Sequence, residues 1–219
     1  MKFESFAKNV VLFCHITSRV STDPDQDLLE EKGGEGFPYI VFMDADGNVL
    51  SKHEGGRTVD AFEKSRQDVD IYYKAKSAAA KGDKAAEADV VLSEIDFGIL
   101  TKEAGEAKLK GLKLKPEQEK RRAQVFYNAE VKDLVSGAAL GKRFYDDLKA
   151  GKKPTKDDLL GPYYQNIMTY GEQAKKADVF EAGFKGLRAF YESNYGADNP
   201  QVRNWVQAQE AALEKLRGK

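Results

Sequence analysis

The chain has 219 residues, 41% of them hydrophobic and 32% charged, with 35 basic side chains against 36 acidic ones. That balance leaves no global field to gather nucleic acid or an anionic membrane surface, and neither partner is expected. A single cysteine, Cys14, excludes an internal disulfide, and no apolar run approaches the ~20 residues that span a bilayer.

The charge is unevenly spread. Residues 1–68 carry 8 basic and 13 acidic side chains and the remainder 27 and 23, an asymmetry too small to argue for a polyanion. Met1 to Ala7 lacks the charged-then-apolar layout of a signal peptide. Val10-Val11-Leu12-Phe13-Cys14-His15-Ile16 is apolar apart from His15, and its length and adjacent β-branched residues predict a buried strand. Asp23-Pro24 then opens a short helix through Leu28, Leu29 and Glu30, which Gly33 and Gly34 end.

The strongest local signal follows. Tyr39 to Met43 is a run of strand-favouring residues, with Pro38 at its start, where a missing N–H does least harm. Asp44-Ala45-Asp46-Gly47 supplies turn chemistry and Asn48-Val49-Leu50 a second extended run, so the unit reads as a β-hairpin. After Gly55-Gly56, Thr58 caps a helix whose apolar positions are Val59, Phe62, Val69 and Tyr73.

In this order a strand, a short helix, Gly36-Phe37-Pro38, a hairpin with an Asp-Gly turn and a closing amphipathic helix resemble the second half of a thioredoxin-fold domain, over residues 3–66. The resemblance implies that Pro38 is the family's cis-proline, facing the redox site. The family's Cys-x-x-Cys has no counterpart here. It would fall upstream of Met1, and Cys14 lies inside the wrong strand with no partner thiol, so a dithiol–disulfide cycle cannot run.

The family's strand between the counterparts of Val10–Ile16 and Tyr39–Met43 is also missing. Its absence would leave a gap of about 9–10 Å between two strands, with unpaired groups costing on the order of 1–3 kcal/mol each where buried. Three outcomes close it: direct pairing of the two strands, a strand from a second molecule, or a polypeptide that begins further upstream. Direct pairing or a truncated chain is favoured over a dimer.

From Asp70 onward the pattern is helical, predicting an α+β protein with a partial thioredoxin-like domain at residues 1–69 and a helical array at 70–219. A helix from Ile71 to Ala80, a Gly82-Asp83 break and an Ala-rich helix from Lys84 to Ile95 resemble a tetratricopeptide hairpin. A Lys/Gly-rich link, Lys108 to Lys115, leads to Pro116 at the start of a long helix, with a break near Ser136-Gly137. Thr155 with Asp158 reads as a capping arrangement opening a helix through Leu159, Tyr163, Ile167 and Tyr170. Phe180, Phe184, Leu187 and Tyr191 form the stripe of the next helix. Asn199-Pro200 starts the last, with Val202, Trp205, Val206, Leu213 and Leu216 on one side. About six helices are expected.

Candidate sites are few. Cys14 and His15 form the one adjacent thiol–imidazole pair, but strand neighbours point to opposite faces, which favours a buried cysteine and a structural histidine over redox or metal work. Two histidines, His15 and His53, with one cysteine make a poor zinc set. Asp44-x-Asp46-Gly47-Asn48 lacks the spacing of a calcium loop, and Asp96-Phe97-Gly98 stands outside any kinase context. The basic stretch from Lys108 to Arg122 is interleaved with Glu117 and Glu119 and reads as a solvated face. Tyr163, Tyr164, Tyr170 and Tyr191 suit packing, or a groove for a peptide segment. No cofactor is expected.

The resulting expectation is a redox-inactive, thioredoxin-like module that binds a protein or peptide. The alternative is the distal part of a thiol–disulfide oxidoreductase whose Cys-x-x-Cys lies upstream. Family resemblance points to an exported bacterial protein; the residues themselves give no compartment or oligomeric state.

Overall fold

The computed structural model describes residues 2–16, 20, 22, 24–34, 36–53, 56–134 and 140–218. The chain is a mostly helical α+β protein that divides into two compact units, Met1–Gln118 and Glu119–Lys219. The change of character expected at Asp70 falls inside a helix, α3 (Val59–Ala79).

The first unit begins with α1 (Lys2–Ala7) and a single turn, α2 (Leu28–Glu31). Two strands follow, β1 (Val41–Met43) and β2 (Val49–Lys52), paired antiparallel with Phe42 opposite Ser51 and a bulge between Phe42 and Met43. The turn between them is built by local chemistry. Asp44 Oδ1 accepts from the N–H groups of Asp46 (3.0 Å) and Asn48 (2.8 Å), while Gly47 takes a left-handed φ of +79° that a side chain would oppose.

Thr58 caps α3 as the sequence indicates, its Oγ1 accepting from Ala61 N–H at 3.2 Å. The buried face of α3 is carried by Val69 and Tyr72, which pack with Leu50 of β2. Tyr73, expected on that face, is exposed, and its neighbour Tyr72 is buried in its place. Phe62 joins Phe6 of α1, ring centroids 6.0 Å apart. Across the Gly82 turn, Asp83 caps α4 (Lys84–Asp96) through the N–H groups of Ala85 and Ala86.

An unforeseen helix, α5 (Lys102–Leu109), fills part of the segment that reads as a link. Its Gly105 lies against Ile95, where a Cβ would overlap the isoleucine side chain. The next helix, α6 (Pro116–Leu134), begins at the expected proline. In its first turn the buried Gln118 accepts from Lys115 N–H and donates to Ala85 O at 2.8 Å.

The second unit continues along α6 to α7 (Gly141–Lys149), α8 (Asp157–Gln173), α9 (Ala177–Tyr195) and α10 (Pro200–Leu216). The break expected near Ser136-Gly137 lies outside the described residues. Seven helices therefore start after Asp70 among the described residues, against about six expected over 70–219; the one expected from Ile71 to Ala80 is the end of α3, and α5 has no counterpart in that expectation. Their core gathers Val131, Phe144, Tyr163, Ile167, Phe184 and Leu187, with Val206 and Leu213 of α10. Asn199 caps α10, and Pro200 occupies its first turn.

One cap is not as the sequence suggests. Thr155 lies before the helix, and the residue at the α8 cap is Lys156, with no side-chain cap bond. Thr155 is taken up by Asn128 instead, which accepts from its N–H (3.1 Å) and donates to its hydroxyl (3.0 Å).

Candidate functional site

The Gly36-Phe37-Pro38 loop is pinned at both ends. Gly33, at φ +77°, ends α2, and Gly34 lets Leu29 and Tyr39 close over it: a Cβ there would lie 2.9 Å from the Tyr39 ring. The Tyr39 hydroxyl, its pKa raised by burial, donates to Lys32 O at 2.6 Å, and Lys32 Nζ donates to Gly47 O at 2.9 Å. The loop is thus tied to the hairpin turn. Its Phe37–Pro38 peptide is cis, and the Phe37 side chain faces solvent.

The structure corrects the expected buried strand. Residues 11–16 take no regular secondary structure, and Val11, Leu12, Phe13 and Ile16 are 97%, 58%, 66% and 79% exposed. The reason is the missing neighbour. The described sheet has two strands, so β2 fills one edge of β1 and no strand lies on the other among the described residues. Direct pairing of Val10–Ile16 with β1 is not formed. A strand-prone run and an open strand edge therefore coexist, unpaired, in one unit.

Cys14 and His15 belong to that run. The thiol is exposed rather than buried, and His15 Nε2 has no hydrogen-bond partner. Because residues 11–16 are not a strand, alternation of faces no longer separates the two side chains. Among the described residues no group of three or more His, Cys, Asp or Glu side chains is placed to hold a metal ion. The other histidine, His53, is buried and structural: Nε2 donates to Gly56 O (3.1 Å), Nδ1 accepts from Ser65 Oγ (2.9 Å), and the ring packs 4.5 Å from Phe62.

The four tyrosines part company. Tyr163 is fully buried, its hydroxyl 2.8 Å from Phe144 O and 3.0 Å from Lys152 O, and burial raises its pKa. Nearby, Tyr127 donates to Asp147 and is pushed up to about 12, chiefly by burial. Tyr164 lies buried under Gly186, and Tyr170 is half-buried with Lys176 Nζ 5.9 Å from its ring centroid. Tyr191 stands edge-on to Trp205 at 4.8 Å and, of the four, lines a cleft of about 510 Å³ between α8 and α9. Asp157, Asp158 and Phe190 share that cleft. Of its lining residues only Tyr191 is singled out for a groove by the sequence; the paired carboxylates at a helix start and the Phe-Tyr pair near the end of the next helix are the signals that could have found the rest.

No helix among the described residues is long and apolar enough to cross a membrane. Compared with family models, curated proteins and solved structures, the chain gives no significant match to any of them. Its function is argued from its own residues.

Proposed function

We propose that this chain is a redox-inactive, thioredoxin-like interaction module that takes up an extended segment of a partner protein by strand addition beside β1, with the tetratricopeptide-like helices as further binding surface. The observation that carries the reading is an uncovered Val10–Ile16 run in the same unit as β1, one edge of which has no paired strand among the described residues. Strand addition satisfies backbone groups along the edge and gives alternate side chains a surface to meet.

Magnitudes explain why the run stays uncovered in the isolated chain. Full burial of its four large exposed side chains is worth about 6–12 kcal/mol. Ordering seven backbone residues costs about 7–14 kcal/mol. The two nearly cancel, and the hydrogen bonds of a strand from a partner decide the balance, at about 0.5–1.5 kcal/mol each.

Amide hydrogen exchange tests this directly. In the chain alone the amides of residues 10–16 should exchange freely. A synthetic seven-residue peptide rich in valine and isoleucine should slow exchange both there and along Val41–Met43. Protection of residues 10–16 in the chain alone would overturn the reading, as would an unchanged pattern with saturating peptide.

The same uncovered run also suits a second reading. A strand and Cys-x-x-Cys supplied by polypeptide preceding residue 1 would make the chain the distal part of a thiol–disulfide oxidoreductase. The coding frame upstream of residue 1 discriminates: a strand followed by Cys-x-x-Cys supports this second reading, and its absence leaves the first.

A further inference from the structure

The α8–α9 hairpin is closed along most of its length by glycine. A Cβ at Gly186 would overlap the Tyr164 ring, one at Gly171 the Phe180 backbone, and one at Gly183 would lie 2.8 Å from Met168 and from Tyr164 O. At the end away from the connecting turn the contact relaxes, and a Cβ at Gly161 would meet the Phe190 ring at an ordinary 3.5 Å. There the cleft of about 510 Å³ opens. Its α9 wall is aromatic, Phe190 and Tyr191. Its α8 wall carries Asp157 and Asp158, with the amides of Gln165 and Asn166 about two turns further along.

Among the described residues no cationic side chain lines this cleft. Arg188, on α9, is engaged by Glu192 (2.7 Å) and Glu210 (3.3 Å). Lys156, just before α8, and Asp158 each have interactions of their own, whereas Asp157 has no ion-pair partner among the described residues. Carboxylates in the first turn of a helix are favoured by its dipole. That accounts for their position, but not for the aromatic wall set across an open cleft from them.

We propose that this cleft receives an arginine side chain of a partner polypeptide. Carboxylates on one wall and aromatic rings on the other match a guanidinium, whose plane packs against aromatic side chains while its N–H groups donate to oxygens. The amide oxygens of Gln165 and Asn166 offer further acceptors; Asn166 Nδ2 is already turned back to Pro162 O at 2.8 Å. The volume of about 510 Å³ has room for an arginine side chain together with part of the polypeptide that carries it. The site lies in the second unit and does not depend on strand addition at β1.

The test is titration of the full chain with the peptide Gly-Ser-Arg-Ser-Gly, followed by amide and side-chain NMR shifts. Saturable shifts are expected at Gly161, Gln165 and Asn166. The citrulline peptide, equal in shape but uncharged, should bind at least about tenfold more weakly, and the lysine peptide about threefold more weakly. The double variant Asp157→Asn, Asp158→Asn should abolish the shifts. Gln165→Lys, at an exposed position, should also abolish them by placing a tethered ammonium in the cleft, with thermal stability unchanged. Equal binding of arginine and citrulline peptides, binding retained by the double variant, or no saturable shift up to about 50 mM peptide would each overturn the assignment.

Discussion

Asn128 of α6 holds the main chain ahead of α8 by a two-way contact with Thr155, accepting from its N–H at 3.1 Å and donating to its hydroxyl at 3.0 Å. The asparagine is buried, and Gln124 Nε2 also donates to its Oδ1 at 3.1 Å. Replacing it with alanine strands a backbone donor and a hydroxyl together. Asn128→Ala is expected to cost about 2–3 kcal/mol, read from urea unfolding. Thr155→Ala keeps the N–H contact and is expected to cost about 1 kcal/mol or less. If Thr155 capped α8, the order of the two would reverse.

Two glycines of the α8–α9 hairpin should respond in opposite directions. At Gly186 a Cβ would overlap the Tyr164 ring, which is itself buried and has little room to retreat. Gly186→Ala should therefore destabilise by about 1–3 kcal/mol through overpacking. At Gly161 the nearest atoms of Phe190 stand at 3.5 and 4.0 Å, so the added methyl gains contact without displacement. Gly161→Ala should stabilise by about 0.5–1 kcal/mol, the helix-propensity gain. Chemical denaturation of the two single variants checks both signs.

The sequence revealed most where structure is set within a few residues. The Asp44–Gly47 turn, the Thr58 cap, the Gly82-Asp83 break and the Asn199-Pro200 helix start each depend on one side chain meeting a backbone group a few positions away, and each is present in the structure. It misled where the answer depended on a distant neighbour. Val10–Ile16 has the composition of a strand but no strand beside it. Thr155 has the spacing of a cap, but Asn128, 27 residues earlier, takes it. Helix α5 carries one strong apolar residue, Leu109, so periodicity could not reveal it; Thr101, accepting from Ala104 N–H, was the available signal. The tyrosines were legible as a group, but their division between core and cleft was not, because glycines on the facing helix decide which ring is covered.

Exposure of the Val10–Ile16 run makes a plain mutational prediction. Val11→Asp and Phe13→Asp together should change the unfolding free energy by no more than about 0.5 kcal/mol, since neither side chain is in the core. In a buried strand, an unpaired carboxylate at either position would cost about 3 kcal/mol or more. The double variant should also lose the peptide-induced exchange protection at Val41–Met43. Stability would then be retained while strand uptake is lost, which separates a surface role from a folding role.

Acid should weaken the fold in a defined sense, with the hairpin turn as one source. Asp44 is held below its usual carboxylate value of 3.8, first by the Asn48 side-chain amide (3.0 Å) and then by the Asn48 and Asp46 N–H groups. Glu63 beside Arg66, Asp146 beside Lys142 and Glu181 beside Lys185 and Arg217 are lowered as well. A carboxylate with a depressed folded-state pKa binds fewer protons folded than unfolded as pH falls, so stability declines with it. Its contribution is complete above the unfolded value and disappears as pH drops through the folded one. Asp44→Asn keeps an acceptor at the same place in the turn but cannot titrate. Urea midpoints followed from about pH 7 to about pH 2.5 should therefore fall less steeply in the variant below about pH 4, by up to one proton's worth of slope. Parallel curves for the two proteins would show that the turn carboxylate contributes nothing to the acid sensitivity.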